Sequence, residues 1–366
     1  MANNTPSAVY FSDMSYTAYE AQQTLPARMK RQLAASGLGG KVKGKSVAIK
    51  IHVGSDLGYT TIPPVFMRIL AEFIQSNGGD CFFVDHYIAS RRPEQRGYTA
   101  ESLGAPVLEA SGHLGKYIYT LPVDFHTFKH VDVAGLIHDA DFLVDFSHVK
   151  GHGCCAYGGA VKNIAMGCVS DRTRLELHGL EGGLTWDGGK CTRCGACVTS
   201  CNHKANKLDD NGMYTVDYHN CTLCQHCLKI CPTGAISLES IDYHGIQKGL
   251  ALCTQAVLGT FAPGDAFYIN LLISITAMCD CWGMTTPSLV PDIGVMSSWD
   301  IAAIETASLD QIKVEKLNLD GVPEGKPLGG EGHLFQRLHG KDPYSQVRFL
   351  EELGLGTAQY ELELVK

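Results

Sequence analysis

Long apolar runs, a net positive charge and a recognisable export signal are all missing from this sequence of 366 residues. The longest apolar stretches, such as residues 266–278, are too short or too polar to span a bilayer. The first 16 residues lack a basic start followed by an apolar run. The net charge of −8 argues against nucleic-acid binding, which depends on a basic surface. We therefore expect a cytoplasmic protein that neither enters a membrane nor binds nucleic acid.

A glycine motif for nicotinamide cofactors is missing as well, because no G-x-G-x-x-G follows a predicted strand. Cysteine, in contrast, is abundant, with 15 residues, and the 40 glycines exceed the usual share. In a reducing compartment disulfides are disfavoured, and clustered cysteines more often bind metal or take part in chemistry. The cysteines are therefore the strongest guide to function.

Strand and helix patterns flank the cysteine-rich middle of the chain. Residues 45–53 form a β-rich run, a helical stretch runs from Pro63 to Gly78, and residues 81–84 form a second buried strand. This order is a βαβ unit, which implies a parallel sheet. The apolar side predicted for the helix carries Val65, Ile69, Phe73 and Ile74. Further predictions are strands at 141–146, 267–275 and 293–296, a helix at 301–312, and a helix and short strand within 343–366.

Two cysteine runs share the spacing C-x2-C-x2-C-x3-C. The first run is Cys191, Cys194, Cys197 and Cys201, and the second is Cys221, Cys224, Cys227 and Cys231 followed by Pro232. In this pattern three sulfurs of a run hold one 4Fe–4S cluster and the fourth reaches the other cluster. The spacing predicts two clusters, one held by Cys191, Cys194, Cys197 and Cys231, the other by Cys221, Cys224, Cys227 and Cys201. Structural zinc is the alternative, but two C-x2-C pairs fill a zinc site, whereas four cysteines in one run favour clusters.

The α/β patterns lie on both sides of these runs, so one α/β body interrupted by an insert is the economical topology. We predict body segments at 1–181 and 241–366 and a ferredoxin-like insert at 182–240. The fold class is thus α/β: a mixed or parallel-sheet body with an inserted α+β two-cluster bacterial-type ferredoxin domain.

A glycine-rich loop at residues 152–167 follows the predicted strand at 141–146. Gly158 and Gly159 lead into a helix start, whose backbone N–H groups suit a carboxylate or phosphate, and Lys162 and Asn163 add a charge and a donor. A turn between strand and helix explains the glycines equally well. The position at a strand end, where ligands collect in α/β sheets, favours a binding site.

Several histidines are candidates for acid–base chemistry because histidine titrates near neutrality. They are His52 and His86 at strand ends, His148 and His152 around the start of the loop, and His178 further on. Any one of them is more often an ordinary, partly buried residue. Convergence at the ends of neighbouring strands would indicate a site.

Seven cysteines lie outside the two runs: Cys81, Cys154, Cys155, Cys168, Cys253, Cys279 and Cys281. If the strand before it continues, the segment Cys279-Asp280-Cys281 places both thiols on one face. A third metal site or a redox-active pair could form from these residues. For each residue taken singly we favour an ordinary buried thiol.

The motifs together resemble the bacterial and archaeal proteins known as uncharacterised Fe–S centre proteins, which share a large domain of unknown function. The resemblance spans nearly the whole chain. It rests on residues 50–54, 150–152 and 158–163, the ferredoxin-like insert, residues 279–281 and residues 291–294. It implies an iron–sulfur protein of anaerobic metabolism.

The series His152, Lys162 and His178, preceded by His86 after a strand, is similar to the nickel-pincer lactate racemases over three or four short stretches. That resemblance implies a cofactor-anchoring role for Lys162, metal ligation by His178, and acid–base roles for His86 and His152. The loop has two residues between Gly159 and Lys162 where that family has one. It therefore implies a related fold with a site in the same place rather than the nickel cofactor itself.

Three functions follow from these patterns. The first is an oxidoreductase of unknown substrate, in which the insert passes electrons to a substrate or cofactor near the loop at residues 152–162. The second is an electron-transfer accessory protein without its own substrate, and the third is a racemase- or lyase-like enzyme with structural clusters. A carrier needs only the small insert, so the larger body favours the first. A redox partner protein and a small-molecule substrate are the expected partners.

Overall fold

The computed structural model describes residues 5–55, 57–86, 92–180, 182–201, 204–217, 221, 226–239, 243–282, 285–322 and 328–366. The strands are β1 (Ser7–Asp13), β2 (Ser46–Lys50), β3 (Asp80–Asp85), β4 (Val107–Glu109), β5 (Ile118–Phe125), β6 (Phe128–Ala134), β7 (Phe142–His148), β8 (Lys150–His152), β9 (Ala156–Gly158), β10 (Leu184–Trp186), β11 (Asn206–Leu208), β12 (Tyr214–Val216), β13 (Ile236–Leu238), β14 (Ala266–Leu272), β15 (Gly294–Ser298) and β16 (Tyr360–Leu364).

The α-helices are α1 (Leu25–Ala35), α2 (Leu38–Val42), α3 (Pro64–Ser76), α4 (Ala100–Leu103), α5 (Gly135–His138), α6 (Ala160–Gly167), α7 (Asp171–Gly179), α8 (Ala196–Thr199), α9 (His226–Ile230), α10 (Tyr243–Leu258), α11 (Ile301–Gln311), α12 (Leu334–His339) and α13 (Ser345–Glu352). Among the described residues, none of these helices has both the length and the apolar character needed to cross a membrane.

Eight strands form the central sheet, in the order β16-β1-β15-β14-β7-β2-β3-β4. Strand β15 is antiparallel to both of its neighbours, and every other pairing in the sheet is parallel. The predicted α/β class with a mixed or parallel sheet is confirmed. The carboxyl ends of β2, β3, β7 and β14, which are neighbours, consequently meet at one edge of the sheet.

Each face of the sheet is covered by its own apolar core. Val47 and Ile49 of β2 pack on one side, with helices α1 to α4, whereas Ala48 between them faces the other side, with α6, α10 and α11. This alternation is the period of two expected for a strand. The residues of the inner strands β2, β7, β14 and β15 are nearly all buried because helices cover both faces.

Helix α3 buries only part of the predicted side: Ile69 and Ile74 are buried and Phe73 is partly buried, but Val65 is not. Its buried residues are Phe66, Met67, Ile69, Leu70, Ala71 and Ile74, whereas Val65 is 37% exposed. The segment is apolar on most sides, so its periodicity alone does not fix the buried face.

The stretch predicted as the insert has a small core of its own. Strand β10 pairs with β13, which brings the two ends of this stretch together. Strands β11 and β12 form an antiparallel hairpin, with Gly212 in the loop between them. Its buried core consists of Leu184, Ala205, Tyr214, Ile236, Cys221 and Cys227. The predicted boundaries at residues 182 and 240 stay predictions.

Candidate active site and metal centres

A cavity of about 580 Å³, counting the part open to solvent, lies at the edge where the parallel strands end. The non-cysteine residues predicted for the site all line it: His86, His152, Gly158, Gly159, Lys162, Asn163 and His178. The topology explains this convergence, because the carboxyl ends of parallel strands and the loops that follow them meet at one edge.

The floor of the cavity is built around Lys50, which is fully buried at the end of β2. Its Nζ lies 3.0 Å from Oδ1 of Asp85 and donates to Oδ1 of Asn163 at 2.5 Å. The amide nitrogen of Asn163 in turn donates to Oδ1 of Asp145 at 2.8 Å. Through these hydrogen bonds Asn163 positions the side chains of Lys50 and Asp145. Direct contact between Asn163 and a ligand stays a prediction.

Gly167 makes room for this lysine. A Cβ at position 167 would lie 2.1 Å from Cε of Lys50 and 2.8 Å from Oδ1 of Asp85. Both distances are far below van der Waals contact. The last residue of α6 must therefore lack a side chain for Lys50 and Asp85 to pair where they do.

The segment from Cys279 to Cys281 does not continue a strand. Strand β14 ends at Leu272, and Asp280 begins a short 3₁₀ turn. The condition on which the sequence placed both thiols on one face, a strand that continues, is therefore not met, yet both cysteines line the cavity. The conformation of the loop, rather than the alternation of side chains along a strand, brings both thiols to the cavity.

Asp280 fixes this loop from inside the protein, where it is fully buried. Its carboxylate accepts hydrogen bonds from Thr60 at 2.8 Å and from Lys150, and lies 3.1 Å from Nδ1 of His148. Burial raises the pKa of Asp280, but the Lys150 charge and the His148 contact outweigh burial, so the net pKa is lowered. The anchored aspartate holds the flanking cysteines at the cavity.

Lys162 faces both of these thiols. Its Nζ donates to Sγ of Cys279 at 3.5 Å and to Sγ of Cys281 at 3.9 Å. Burial lowers the pKa of Lys162, but the negative charges available on the two sulfurs outweigh it and raise the net pKa. The lysine that the racemase resemblance assigns to cofactor anchoring is, in this structure, a hydrogen-bond donor to two cysteines.

The thiol of Cys279 is favoured as a thiolate. Burial raises its pKa, but the hydrogen bond with Cys281 and the charge of Lys162 outweigh burial, and the net pKa lies well below the usual value. Nε2 of His52 lies 3.9 Å from the same sulfur. In contrast, burial raises the pKa of Cys81 to about 12. Cys81 fits the ordinary buried thiol, whereas Cys279 has the electropositive surroundings of a reactive one.

His152 lies beside the second thiol, with Nε2 3.7 Å from Sγ of Cys281. Its other ring nitrogen, Nδ1, accepts a hydrogen bond from the backbone N–H of Cys154 at 3.1 Å. A neutral imidazole that accepts at Nδ1 carries its proton on Nε2. His152 therefore presents an N–H to the sulfur of Cys281.

His86 has an acidic environment at the end of β3. Its Nδ1 lies 3.0 Å from Oε1 of Glu109, and its Nε2 lies 3.1 Å from Oδ1 of Asp171. His178, in the last turn of α7, is buried and lines the same cavity. Their predicted acid–base and metal-binding roles stay predictions.

The start of α6 is partly occupied by a carboxyl group of the protein. The backbone N–H of Ala160 donates to Oε1 of Glu305 on α11, and burial raises the pKa of Glu305 to about 7. A Cβ at Gly159 would lie 2.5 Å from that oxygen, and one at Gly158 would lie 3.2 Å from Cδ of Lys162. The lack of a side chain at these two glycines therefore makes room for Glu305 and Lys162. Anion binding at this helix start stays a prediction, and the N–H of Ala160 already binds Glu305.

Four of the predicted cluster ligands line one cavity in the insert. They are Cys191, Cys194, Cys197 and Cys231, around an empty volume of about 350 Å³. Backbone N–H groups donate to two of these sulfurs, from Arg193 to Cys191 at 3.4 Å and from Ala235 to Cys231 at 3.3 Å. Four thiols with N–H donors around one cavity fit the ligation of a cubane cluster.

The second predicted ligand set is described in part. Cys221 and Cys227 are buried in the core of the insert, and the sulfur of Cys201 accepts from the N–H of Ala205 at 3.3 Å. Cys224 lies outside the described residues.

The insert touches the body next to the candidate site. Sγ of Cys154 lies 3.7 Å from the backbone carbonyl oxygen of Cys221. The backbone N–H of Cys154 also donates a hydrogen bond to Nδ1 of His152. Cys221, a predicted cluster ligand, is thus linked to the cavity through Cys154 and His152.

The thiols at the cavity have the spacing of a metal site. Ligand atoms of His152, Cys279 and Cys281 all lie within 4.8 Å of one another, and within the described part of the chain this is the one such group of three or more. Sequence analysis named Cys279 and Cys281 among the cysteines that could form a third metal site or a redox-active pair, but it did not place them beside Lys162, and it did not assign Lys50 or Asp85 to the site. Two features of the sequence could have indicated these residues: the single residue that separates the two cysteines, and the charged residues at the ends of buried strands.

Comparison with known proteins gives the family. Residues 47–310 match the family described as a domain of unknown function (DUF362), which is more than half of the chain. The chain belongs to the DUF362 family. The predicted resemblance to proteins that share a large domain of unknown function is thereby confirmed.

Two curated relatives match this DUF362 protein over short stretches. A ferredoxin from Pyrobaculum islandicum is 40% identical over 50 residues, which is 14% of this chain and 47% of the relative. Pyruvate synthase subunit PorD from Methanocaldococcus jannaschii is 37% identical over 51 residues, 14% of this chain and 59% of the relative. The chain therefore spans about half the length of these relatives. Their likeness and the 15 cysteines indicate an iron–sulfur protein.

Among solved structures, the lactate racemase apoprotein from Thermoanaerobacterium thermosaccharolyticum aligns with 73% of this chain and 51% of its own. The identity is 13% and the TM-score is 0.36. These values are too low for a conclusion about activity.

Proposed function

We propose that this DUF362 protein is an iron–sulfur oxidoreductase. Two 4Fe–4S clusters in the insert pass electrons to a small-molecule substrate or cofactor in the cavity beside Lys162. The observation that carries this proposal is the contact of 3.7 Å between Cys154 and Cys221.

Two clusters are supported by the arrangement of the cysteines. Cys191, Cys194, Cys197 and Cys231 surround one cavity although Cys231 belongs to the second run. This exchange of the fourth ligand is the pattern of two-cluster ferredoxins. The second cluster is assigned to Cys201, Cys221, Cys224 and Cys227 by the same pattern. Bound clusters supply one-electron transfer, and the protein supplies their ligands and the N–H groups that face sulfur.

The route to the cavity follows a chain of contacts. Cys221 touches Cys154, the N–H of Cys154 binds Nδ1 of His152, and Nε2 of His152 lies 3.7 Å from Cys281. Each link is a hydrogen bond or a close contact with sulfur. A carrier that only served another enzyme would not need a route that leads to a cavity of its own.

The cavity offers groups that suit a small polar substrate. Lys162 and Arg174 bring positive charge, and His86, His152 and His178 supply the type of side chain that enzymes most often use to transfer protons. The predicted roles are cofactor anchoring for Lys162, acid–base chemistry for His86 and His152, and metal ligation for His178. An electron donor protein is the expected partner, since one relative is named as a subunit of pyruvate synthase. The 15 thiols favour the cytoplasm, where they stay reduced.

Oxidation of the reduced clusters tests this proposal. The protein is purified without oxygen, its iron is measured, and the clusters are reduced with dithionite that is then removed. A library of small two-electron acceptors is screened for reoxidation, followed by the recovery of cluster absorbance. Lys162→Ala is expected to keep its iron and lose this turnover, whereas unchanged turnover in that variant contradicts the proposal.

A racemase- or lyase-like enzyme with structural clusters is the second candidate. It is favoured by the convergence of His86, His152, His178 and Lys162 on one cavity. A covalent adduct on Lys162, found as excess mass in the intact protein, would support it over electron transfer.

A further inference from the structure

Cys279 and Cys281 form a pair of thiols in a fixed loop. Their sulfurs lie within 4.8 Å of each other, and the N–H of Cys281 donates to Sγ of Cys279 at 3.4 Å. Asp280, fully buried between them, is bound by Thr60 and Lys150. Formation of a disulfide would require rotation of the two cysteine side chains while Asp280 stays in place. Cys281 is the more exposed of the two cysteines.

The surroundings of the pair disfavour a metal ion. The ammonium group of Lys162 contacts both sulfurs, at 3.5 and 3.9 Å, and would repel a cation bound between them. Nδ1 of His152 accepts the N–H of Cys154, so the proton sits on Nε2, the nitrogen nearest Cys281. Ligation of a metal through Nε2 would require the proton to move to Nδ1, where it would face another N–H. A positive partner and an N–H donor suit thiolates instead.

The pair also lies at the end of the contacts that lead from the insert. His152 touches Cys281, and Cys154 joins His152 to Cys221. Clusters deliver electrons singly, whereas reduction of most organic substrates takes two. A dithiol at this position would collect two single electrons as one pair beside the cavity.

We infer that Cys279 and Cys281 are a redox-active pair that the clusters of the insert reduce from a disulfide to a dithiol. This inference rests on the proposed function, because the clusters supply the electrons. The bond between the two sulfurs breaks as two electrons and one proton enter, one electron from each reduced cluster and the proton from solvent in the cavity. Cys279 leaves as a thiolate beside Lys162, and Cys281 leaves as a thiol beside His152.

The reverse half of the cycle uses a two-electron acceptor in the cavity. The pair passes to it two electrons and one proton and returns to the disulfide. A one-electron donor protein of the ferredoxin class then reduces the clusters again. The pair thus defines the substrate class as a small molecule that accepts an electron pair.

Two buried cysteines serve as internal controls. Cys81 packs in the core on one face of the sheet, and Cys253 packs in the core on the other. Sγ of Cys253 donates to the carbonyl oxygen of Ala165 at 3.3 Å. Neither lines the cavity, so neither should change its thiol state with the redox potential.

The test is thiol labelling of the wild-type protein with bound clusters. Anaerobic samples are equilibrated in dithiol–disulfide buffers of increasing potential, quenched in acid, alkylated under denaturing conditions, and digested for mass spectrometry. We expect the peptide that contains Cys279 and Cys281 to lose both labels together and to lose two hydrogens in mass, while the Cys81 and Cys253 peptides stay labelled. Reduction of the oxidised pair through photoreduced clusters should restore both labels.

Two results would overturn the inference. One is full labelling of Cys279 and Cys281 at every potential in protein with its full iron. The other is a metal ion beyond the cluster iron that is lost in both Cys279→Ser and Cys281→Ser. Failure of the proposed function would be seen separately, as absence of cluster iron before any labelling is done.

Discussion

The sulfur of Cys154 lies 3.7 Å from the carbonyl oxygen of Cys221. This contact joins the cysteine-rich insert to the loop that positions His152, and through it to the thiols at the cavity. Ferredoxin-like cysteines and the polar edge of the sheet are therefore parts of one arrangement.

Removal of the Cys154 sulfur should slow electron transfer between insert and cavity. Cys154→Ala removes the atom that touches Cys221 but keeps the backbone N–H that binds His152. We expect unchanged iron content and slower reoxidation of reduced clusters by the acceptor, measured by stopped-flow absorbance. The matched control is Cys253→Ala, another buried cysteine, in the core away from the insert. Equal rates in both variants would remove Cys154 from the route.

Lys162→Met should make Cys279 less reactive near neutral pH. The ammonium group lies 3.5 Å from the Cys279 sulfur and helps to hold the pKa of that thiol well below its usual value. Because the thiolate exists above the pKa, loss of the charge should move the alkylation of Cys279 to higher pH. Alkylation rates followed by peptide mass spectrometry across pH 5 to 10 measure the shift. An unchanged pH profile would show that Lys162 does not stabilise the thiolate.

Asp280→Asn should destabilise the fold and alter its acid sensitivity. The substitution leaves the buried charge of Lys150 without its carboxylate, which costs about 3 kcal/mol or more in the free energy of unfolding. Since the pKa of Asp280 is lowered in the folded protein, its contribution is present above about pH 4 and is lost as the pH falls. The variant should therefore show a smaller loss of stability on acidification, measured by urea unfolding. The exposed Asp187→Asn is the control, and equal midpoints would contradict the role given to Asp280.

Gly167→Ala should damage the floor of the cavity, because the new Cβ would lie 2.1 Å from Cε of Lys50. We expect a loss of about 1 to 3 kcal/mol in unfolding free energy, typical of overpacking. Gly179→Ala is the matched control, at the last residue of the next helix with no atom within 4 Å of its Cβ. Denaturant unfolding of both variants measures the difference. Similar stability in the two would mean that the close approach of Lys50 is relieved without cost.

Much of the central sheet could be predicted from the sequence because its strands are short apolar runs with clear stops. Strand β1 and the β5–β6 pair were not predicted. Strand β5 alternates partly buried and exposed residues and is not an apolar run. Strand β1 lies in the sheet between β15 and β16, at a sequence distance that local patterns do not encode.

The site could be predicted only where chemistry and spacing coincide. The convergence of His86, His152, His178 and Lys162 follows from strand ends and a glycine-rich loop. The pairing of Lys162 with Cys279 and Cys281 joins residues more than 100 positions apart, so no local pattern indicates it. Treating those cysteines singly, as buried apolar residues, hid a property that belongs to the pair.

Metal analysis tests the central claim most directly. Iron and acid-labile sulfide are measured on anaerobically purified protein, with an electron paramagnetic resonance spectrum after dithionite reduction, for wild type and Cys194→Ala. We predict about eight irons per chain with interacting signals from two reduced clusters, and a loss of about half of the iron in the variant. Zinc in place of iron, or full iron in Cys194→Ala, would contradict the assignment of two clusters to this insert.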